Sequence, residues 1–157
     1  QMCIRDRFDT AWVFSGWDAL RAQQVANADV NEIRFADWAD CVPNWYTPLF
    51  LAAESTLAED ADLVSDFLAV TSRGYEQAVD DPADAAAALT EAVPELDPAL
   101  VDPAVAYYAP LFVGQSGSWG EQDEQTWTQF AQFLTSAQVV ADPVDATTAF
   151  TNEYLPE

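Results

Sequence analysis

Four Asp-Pro dipeptides constrain the fold of this chain more than any other feature. An Asp side chain accepts hydrogen bonds from free N–H groups in the first turn of a helix, and Pro fits the first helical position because its missing N–H has no helical partner there. Each dipeptide is therefore a predicted helix start, and together they predict helices over roughly 82–92, 98–109 and 143–150. The dipeptides are Asp81-Pro82, Asp97-Pro98, Asp102-Pro103 and Asp142-Pro143.

Two further helices follow from apolar periodicity. One begins near Ser55 and places its apolar side chains on one face. Gly74 weakens that helix by about 1 kcal/mol relative to Ala, so close packing is expected there. The other is capped by Asp123. The apolar face of the first comprises Leu63, Val64, Phe67, Leu68, Thr71, Tyr75 and Ala78; that of the second comprises Trp127, Phe130, Ala131 and Leu134.

Three short apolar runs predict strands. Residues 10–14 are aromatic and β-branched, and Ser15-Gly16 then breaks the run before a helical pattern that reaches about residue 26. Residues 33–38 alternate with period two, and residues 46–53 form a second apolar run. The expected class is therefore α/β and helix-rich, with few strands and at least five helices. The strands at 10–14 and 46–53 are expected to lack sheet partners.

The charge of the chain excludes several classes of partner. Its 157 residues carry a formal net charge of −22, and its five basic residues are all Arg. A nucleic-acid partner needs a basic surface, so that role is excluded. An anionic membrane surface or an anionic substrate would be repelled as well. High acidity without Lys is typical of proteins that work in concentrated salt, where screening removes self-repulsion.

The residue types that carry most catalysis and metal binding are scarce. The chain has no His, which is the commonest general base and a common metal ligand. Its two cysteines, Cys3 and Cys41, form neither a metal spacing nor a disulfide framework, and Cys41 is expected to be a buried thiol. No apolar run approaches the ~20 residues of a membrane span. We expect no catalytic residue, no metal site and no cofactor.

An ordered series of segments resembles the solute-binding proteins of ABC transporters. The most similar branch binds the pyrimidine precursor of thiamine, and its relatives include the thiamine pyrimidine synthases. The matching segments are Asp9-Thr-Ala-Trp-Val-Phe-Ser-Gly-Trp-Asp18, Trp45-Tyr-Thr-Pro48, Phe67-Leu-Ala-Val-Thr-Ser-Arg-Gly-Tyr75, Val93-Pro-Glu-Leu-Asp97, Trp119-Gly120 and Ala149-Phe-Thr-Asn-Glu-Tyr-Leu-Pro156.

The resemblance implies a particular place for this chain in a larger protein. It would be the carboxyl-terminal part of a two-lobed type II periplasmic binding protein fold, located outside the cytoplasm and docking on an ABC permease. Residues 1–7 do not match and are expected to be a non-native leader with few contacts. Residues 8–45 would end the second lobe, and residues 46–157 would return to the first lobe as mostly helical structure.

The resemblance also implies the binding residues. It places Trp12, Trp17, Asp18 and Tyr46 nearest an aminopyrimidine, with the rings stacking on it and the carboxylate accepting from its amino group. The residues themselves equally allow packing in the core for the aromatics and helix capping for Asp18. Asp40 and Asn44 are weaker candidates.

Three alternative functions stay open. One is a pyrimidine synthase, although the cysteine-rich motif of those enzymes is reduced to Cys41 here. Another is a binding protein for a different small solute, such as a sulfonate or nitrate. The third is a free-standing helical interaction domain.

Overall fold

The computed structural model describes residues 10–114 and 117–156, and the regular secondary structure within those ranges is helical. Its five α-helices confirm the helix-rich expectation, but no described residue lies in a β-strand, so the β part of the α/β class is wrong there. A single antiparallel bridge joins Val113 and Trp119. The helices are α1, Glu54–Glu59; α2, Ala61–Asp80; α3, Pro82–Ala92; α4, Pro98–Tyr108; and α5, Glu124–Ser136.

Aspartate caps start three of these helices, as predicted. An oxygen of Asp81 accepts from the backbone N–H of residue 84 at 3.0 Å, and Asp97 accepts from the N–H of residue 99 at 3.0 Å. Asp123 accepts from the N–H of residue 126 at 2.7 Å. The first two caps are followed by Pro at the first helical position. The sequence therefore marks the starts of α3, α4 and α5 correctly.

The other two Asp-Pro dipeptides begin no helix. Pro103 lies inside α4, because the chain is already helical from Pro98 onward. The helix predicted over 143–150 is reduced to a short 3₁₀ turn, Ala146–Thr148. Asp145 caps that turn by accepting from both the hydroxyl and the backbone N–H of Thr147, at 2.7 and 3.0 Å, and these bonds lower the pKa of Asp145. Such local bonds compete with helix formation.

Two of the three predicted strands lack sheet partners, as expected, and the third is wrong. Residues 10–14 and 46–53 carry no sheet ladder, and the segment predicted over 33–38 contains a 3₁₀ helix, Phe35–Trp38. A strand exists only when a second strand bonds to it, and none of the described residues supplies that ladder. Apolar composition alone therefore overstated the sheet content.

The chain divides into two compact units, and the first is aliphatic. Its described residues are 10–32 and 81–110. Two π-helical turns, Ser15–Ala19 and Arg21–Val25, pack against α4, which also packs against α3. The turns confirm the helix predicted after Gly16. The buried side chains of this unit are small: Ala19, Ala86, Leu100, Val101, Ala104 and Ala109.

The second unit is held together by aromatic rings. Its described residues are 33–80, 111–114 and 117–156. Trp45 stacks on Phe130 with ring centroids 5.4 Å apart, and Trp127 stacks on Phe150 at 5.7 Å. Such pairs add stability beyond the burial of their area. Trp127 thus has the packing role expected from its helix face.

Four packing expectations are corrected in the second unit. Cys41 is exposed, not buried. A Cβ on Gly74 would meet no atom within 4 Å, so no close approach requires glycine there. The apolar face of α2 remains partly open, with Leu63 64% and Phe67 52% exposed. The helix expected from Ser55 is interrupted at Asp60, which leaves the helical region with φ −130°.

The helices described here are also too short or too polar to cross a lipid bilayer.

Candidate ligand-binding site

The site is built on a tight turn formed by residues 14–18. The Phe14 carbonyl accepts from the N–H groups of residues 17, 18 and 19, at 3.1, 2.9 and 3.3 Å. In return, the Phe14 N–H donates to Oδ2 of Asp18 at 3.1 Å. The carboxylate therefore closes the turn in which it lies. This differs from the helix start that the sequence left open for Asp18, because the helical turn begins at Ser15 and Asp18 lies inside it.

Two tyrosines at the end of α4 pack against this turn. A Cβ on Gly16 would lie 2.5 Å from Cδ1 of Tyr107 and 2.5 Å from Cε2 and Cζ of Tyr108. No side chain fits that gap, which explains why glycine occupies the position. The two rings meet edge to face with centroids 5.2 Å apart. Both rings therefore pack directly against the backbone of residue 16.

The environment of Tyr108 favours its neutral phenol. Partial burial raises the pKa of Tyr108, a backbone hydrogen bond from Gly16 opposes that shift, and the nearby Tyr107 and Asp18 add to the rise. Asp18 itself is exposed to solvent. The turn thus presents a neutral hydroxyl and a carboxylate in the same neighbourhood.

The two tryptophans of the first unit differ in exposure. Trp12 is 68% exposed and its ring lies 5.5 Å from that of Phe14, whereas Trp17 is half-buried. The structure places Trp12, Trp17 and Asp18 on one short segment of the first unit. We call residues 12–18 the turn cluster.

Tyr46, the fourth predicted binding residue, lies in the second unit. Its hydroxyl accepts from the N–H of Asp123 at 2.8 Å, and its ring lies 6.2 Å from that of Trp127. These contacts tie Tyr46 to the start of α5. Its proposed stacking on a ligand stays a prediction, as do the roles of Trp12, Trp17 and Asp18 toward a ligand.

Tyr107 and Tyr108 lie in the helix predicted over 98–109, but the sequence did not indicate their contact with the turn. The only signal was the glycine at position 16, whose neighbours are 91 and 92 positions away in the chain. The weaker candidates Asp40 and Asn44 are both exposed. Among residues 10–114 and 117–156, no three metal-ligating side chains converge.

Two comparisons with known proteins bear on this site. The sequence profile of the family described as NMT1/THI5 like matches residues 1–85, which include the turn cluster and Tyr46. The chain is also 27% identical, over 144 residues, to the riboflavin-binding protein RibY of Chloroflexus aurantiacus. That alignment covers 87% of this chain and 39% of RibY, so the chain spans well under half of that relative's length.

Proposed function

Because this chain belongs to the NMT1/THI5-like family of solute-binding proteins, we propose that it forms part of the binding site for a planar, nitrogen-rich heterocycle. The first candidate is an aminopyrimidine of the thiamine-precursor type. The observation that carries the proposal is the family match over residues 1–85, which contains every residue predicted to touch the ligand. Binding proceeds by closure of two lobes over the solute, and no bond is made or broken.

The side chains of the turn cluster suit such a ligand. A tryptophan ring supplies a flat apolar face for stacking, and the exposed ring of Trp12 and the half-buried ring of Trp17 flank the turn in sequence. Asp18 uses one oxygen to close the turn, and a carboxylate has further lone pairs for an amino group. Closure of the turn and ligand binding by Asp18 are therefore compatible.

In this proposal the chain is the carboxyl-terminal part of a two-lobed protein outside the cytoplasm, and an ABC permease is its partner. Residues 8–45 end the second lobe, and residues 46–157 return to the first. Segment 46–53, which has no sheet partner, supports the proposal that further chain packs here in the complete protein. Its apolar side chains are exposed, Phe50 by 59% and Leu51 by 91%. In the complete protein, strands from elsewhere would cover such side chains.

A flavin is the second candidate ligand, and the similarity to RibY favours it. A flavin ring system is also planar and nitrogen-rich, and its imide edge places an N–H beside carbonyl oxygens. The same tryptophan and carboxylate would therefore serve either ligand.

Calorimetric titration of the complete protein with an aminomethylpyrimidine and with riboflavin tests the proposal. If Trp17 stacks on the ligand, Trp17→Ala weakens binding by roughly 1–3 kcal/mol, by analogy with base–aromatic stacking, and Trp17→Phe weakens it less. Trp38→Ala is the matched control, since Trp38 is an exposed tryptophan of the second unit. A folded wild type that binds neither compound contradicts the proposal, and iron-dependent turnover by the complete protein would favour the synthase alternative.

Asp18→Asn separates closure of the turn from ligand binding at the same residue. The side-chain oxygen of Asn can still accept from the Phe14 N–H, so thermal stability should change little. Its neutral amide is a poorer acceptor than a carboxylate, so binding of the heterocycle should weaken. Unchanged binding with unchanged stability would leave Asp18 with the turn-closing role alone.

A further inference from the structure

The hydroxyl end of Tyr108 reaches the turn cluster. Cζ, the ring atom that carries the hydroxyl, is one of the atoms 2.5 Å from a Cβ built on Gly16. Tyr107 instead presents Cδ1, an atom near the base of its ring. The neighbouring rings therefore differ in what they bring to the turn: Tyr107 supplies ring surface, and Tyr108 supplies a polar group.

The position of Tyr108 is fixed by the best-buried helix of the first unit. Val101 is fully buried and Ala104 is 2% exposed on the same helix, α4. Ala109, the residue directly after Tyr108, is 1% exposed. A side chain held on a packed helix keeps its geometry better than one on a loop. Tyr108 can therefore hold a polar atom at a defined place beside the turn.

The hydrogen bonds of the turn leave Tyr108 with a proton to donate. A backbone hydrogen bond from Gly16 lowers the pKa of Tyr108, which is the direction expected when the phenol oxygen accepts, and an accepting phenol keeps its own proton to donate. Burial and the charge of Asp18 raise the pKa of Tyr108, so the proton is retained at neutral pH. Asp18 accepts from Phe14 through Oδ2 and keeps further acceptor positions. The turn therefore presents one donor and one acceptor.

We propose that Tyr108 is a further ligand-binding residue, whose hydroxyl donates to a ring nitrogen or carbonyl oxygen of the heterocycle while Asp18 accepts from the adjacent N–H. This inference rests on the proposed function and narrows its ligand class. The ligand must carry an acceptor beside an N–H group, as aminopyrimidines and the imide edge of flavins do. A sulfonate or nitrate has acceptors alone and would meet the negative charge of Asp18, so the pair selects against anionic solutes.

The test compares Tyr108→Phe with Tyr107→Phe in the complete protein. Both variants keep the ring that packs on Gly16 and lose a single hydroxyl. Titration with the aminomethylpyrimidine and with riboflavin should show about tenfold weaker binding of the bound compound for Tyr108→Phe, the size of one lost hydrogen bond. Tyr107→Phe should bind as the wild type does. The midpoint of thermal unfolding without ligand should be the same for Tyr107→Phe and the wild type, and should fall by no more than roughly 2–4 °C for Tyr108→Phe, which also loses the acceptor of the Gly16 hydrogen bond.

Each other outcome has a defined meaning. Wild type that binds one of the probes, with Tyr108→Phe binding it equally well, overturns this inference and leaves the proposed function standing. Equal losses in both tyrosine variants also overturn it, because the effect would then belong to the ring pair. Weaker binding with a midpoint that falls well beyond roughly 2–4 °C in ligand-free Tyr108→Phe would assign the hydroxyl to support of the turn, which again overturns direct contact. Failure of the wild type to bind either probe removes the proposed function itself.

Discussion

Gly16 lies where any side chain would collide with two tyrosine rings. A contact below 3 Å requires something to move, and here both neighbours are aromatic rings at the end of a packed helix. Gly74 is the opposite case, since a Cβ there would meet no atom within 4 Å in the middle of α2. Close packing therefore requires glycine at position 16, whereas no contact requires it at position 74. Both glycines nevertheless interrupt apolar patterns in the sequence.

Substituting alanine at the two glycines should change stability in opposite directions. Gly16→Ala should destabilise by about 1–3 kcal/mol, the usual cost of overpacking. Gly74→Ala should stabilise by about 1 kcal/mol, because alanine is the better helix former and nothing opposes its methyl group. Thermal unfolding followed by circular dichroism measures both, at roughly 2–4 °C per kcal/mol for a chain of this size. A neutral Gly16→Ala would show that the tyrosine rings yield easily.

At the scale of elements, helix α5 has the best-defined start and end. Asp123 caps its start, and the hydroxyl of Tyr46 accepts from the N–H of Asp123. At its other end Gln138 takes a left-handed φ of 58°, and the Val139 N–H reaches the carbonyl of Leu134 at 2.9 Å. That bond satisfies a terminal carbonyl of the helix, as in a Schellman motif.

Removing the Asp123 cap should show how much the capping hydrogen bond contributes to the free energy of unfolding. Asp123→Ala leaves the N–H of Thr126 without its partner and should cost about 1 kcal/mol of unfolding free energy. Asp123→Asn is the control, because its side-chain oxygen still accepts and the cost should be small. Denaturant titration of each variant gives the free energies. Equal losses in both variants would show that the negative charge, not the hydrogen bond, stabilises the helix.

The helices were predictable because their signals are local, whereas the strands and the contact of the tyrosines with Gly16 were not. Asp81-Pro82 carries both the cap and the first helical residue within two positions, so no distant contact is needed. Residues 46–53 have strand composition, but a strand depends on a partner that no nearby residue specifies. For the same reason the turn at Ser15-Gly16 was visible in the sequence, while the tyrosines against it were not.

At the scale of the whole molecule, charge is the dominant property. The formal net charge is −22, and carboxylates outnumber basic groups by 27 to 5. Repulsion among exposed charges acts over ~10 Å at 0.1 M salt and only ~3 Å at 1 M. A chain of this composition is therefore destabilised by its own charge in dilute buffer.

Potassium chloride should raise the midpoint of thermal unfolding as its concentration increases from low to molar values, because screening removes this repulsion. Repeating the series nearer the pI of about 4.1 is the control, since fewer charged carboxylates then remain to be screened. The salt effect should shrink there. Higher stability in dilute buffer than in molar salt would contradict the expectation of a saline environment.

Each unit consists of two separate stretches of the chain, so the contacts within the second unit are delayed during synthesis. The hydroxyl of Tyr46 bonds to the N–H of Asp123, which is synthesised 77 residues later. Residues 81–110, which belong to the first unit, are synthesised in between. At ~5–20 residues per second, a ribosome needs roughly 4–15 s to make those 77 residues. For most of that interval Phe50 has been synthesised while Trp119, whose ring lies 6.3 Å from it in the fold, has not. During that delay, ribosome-associated chaperones that bind short apolar stretches would find one at residues 46–51.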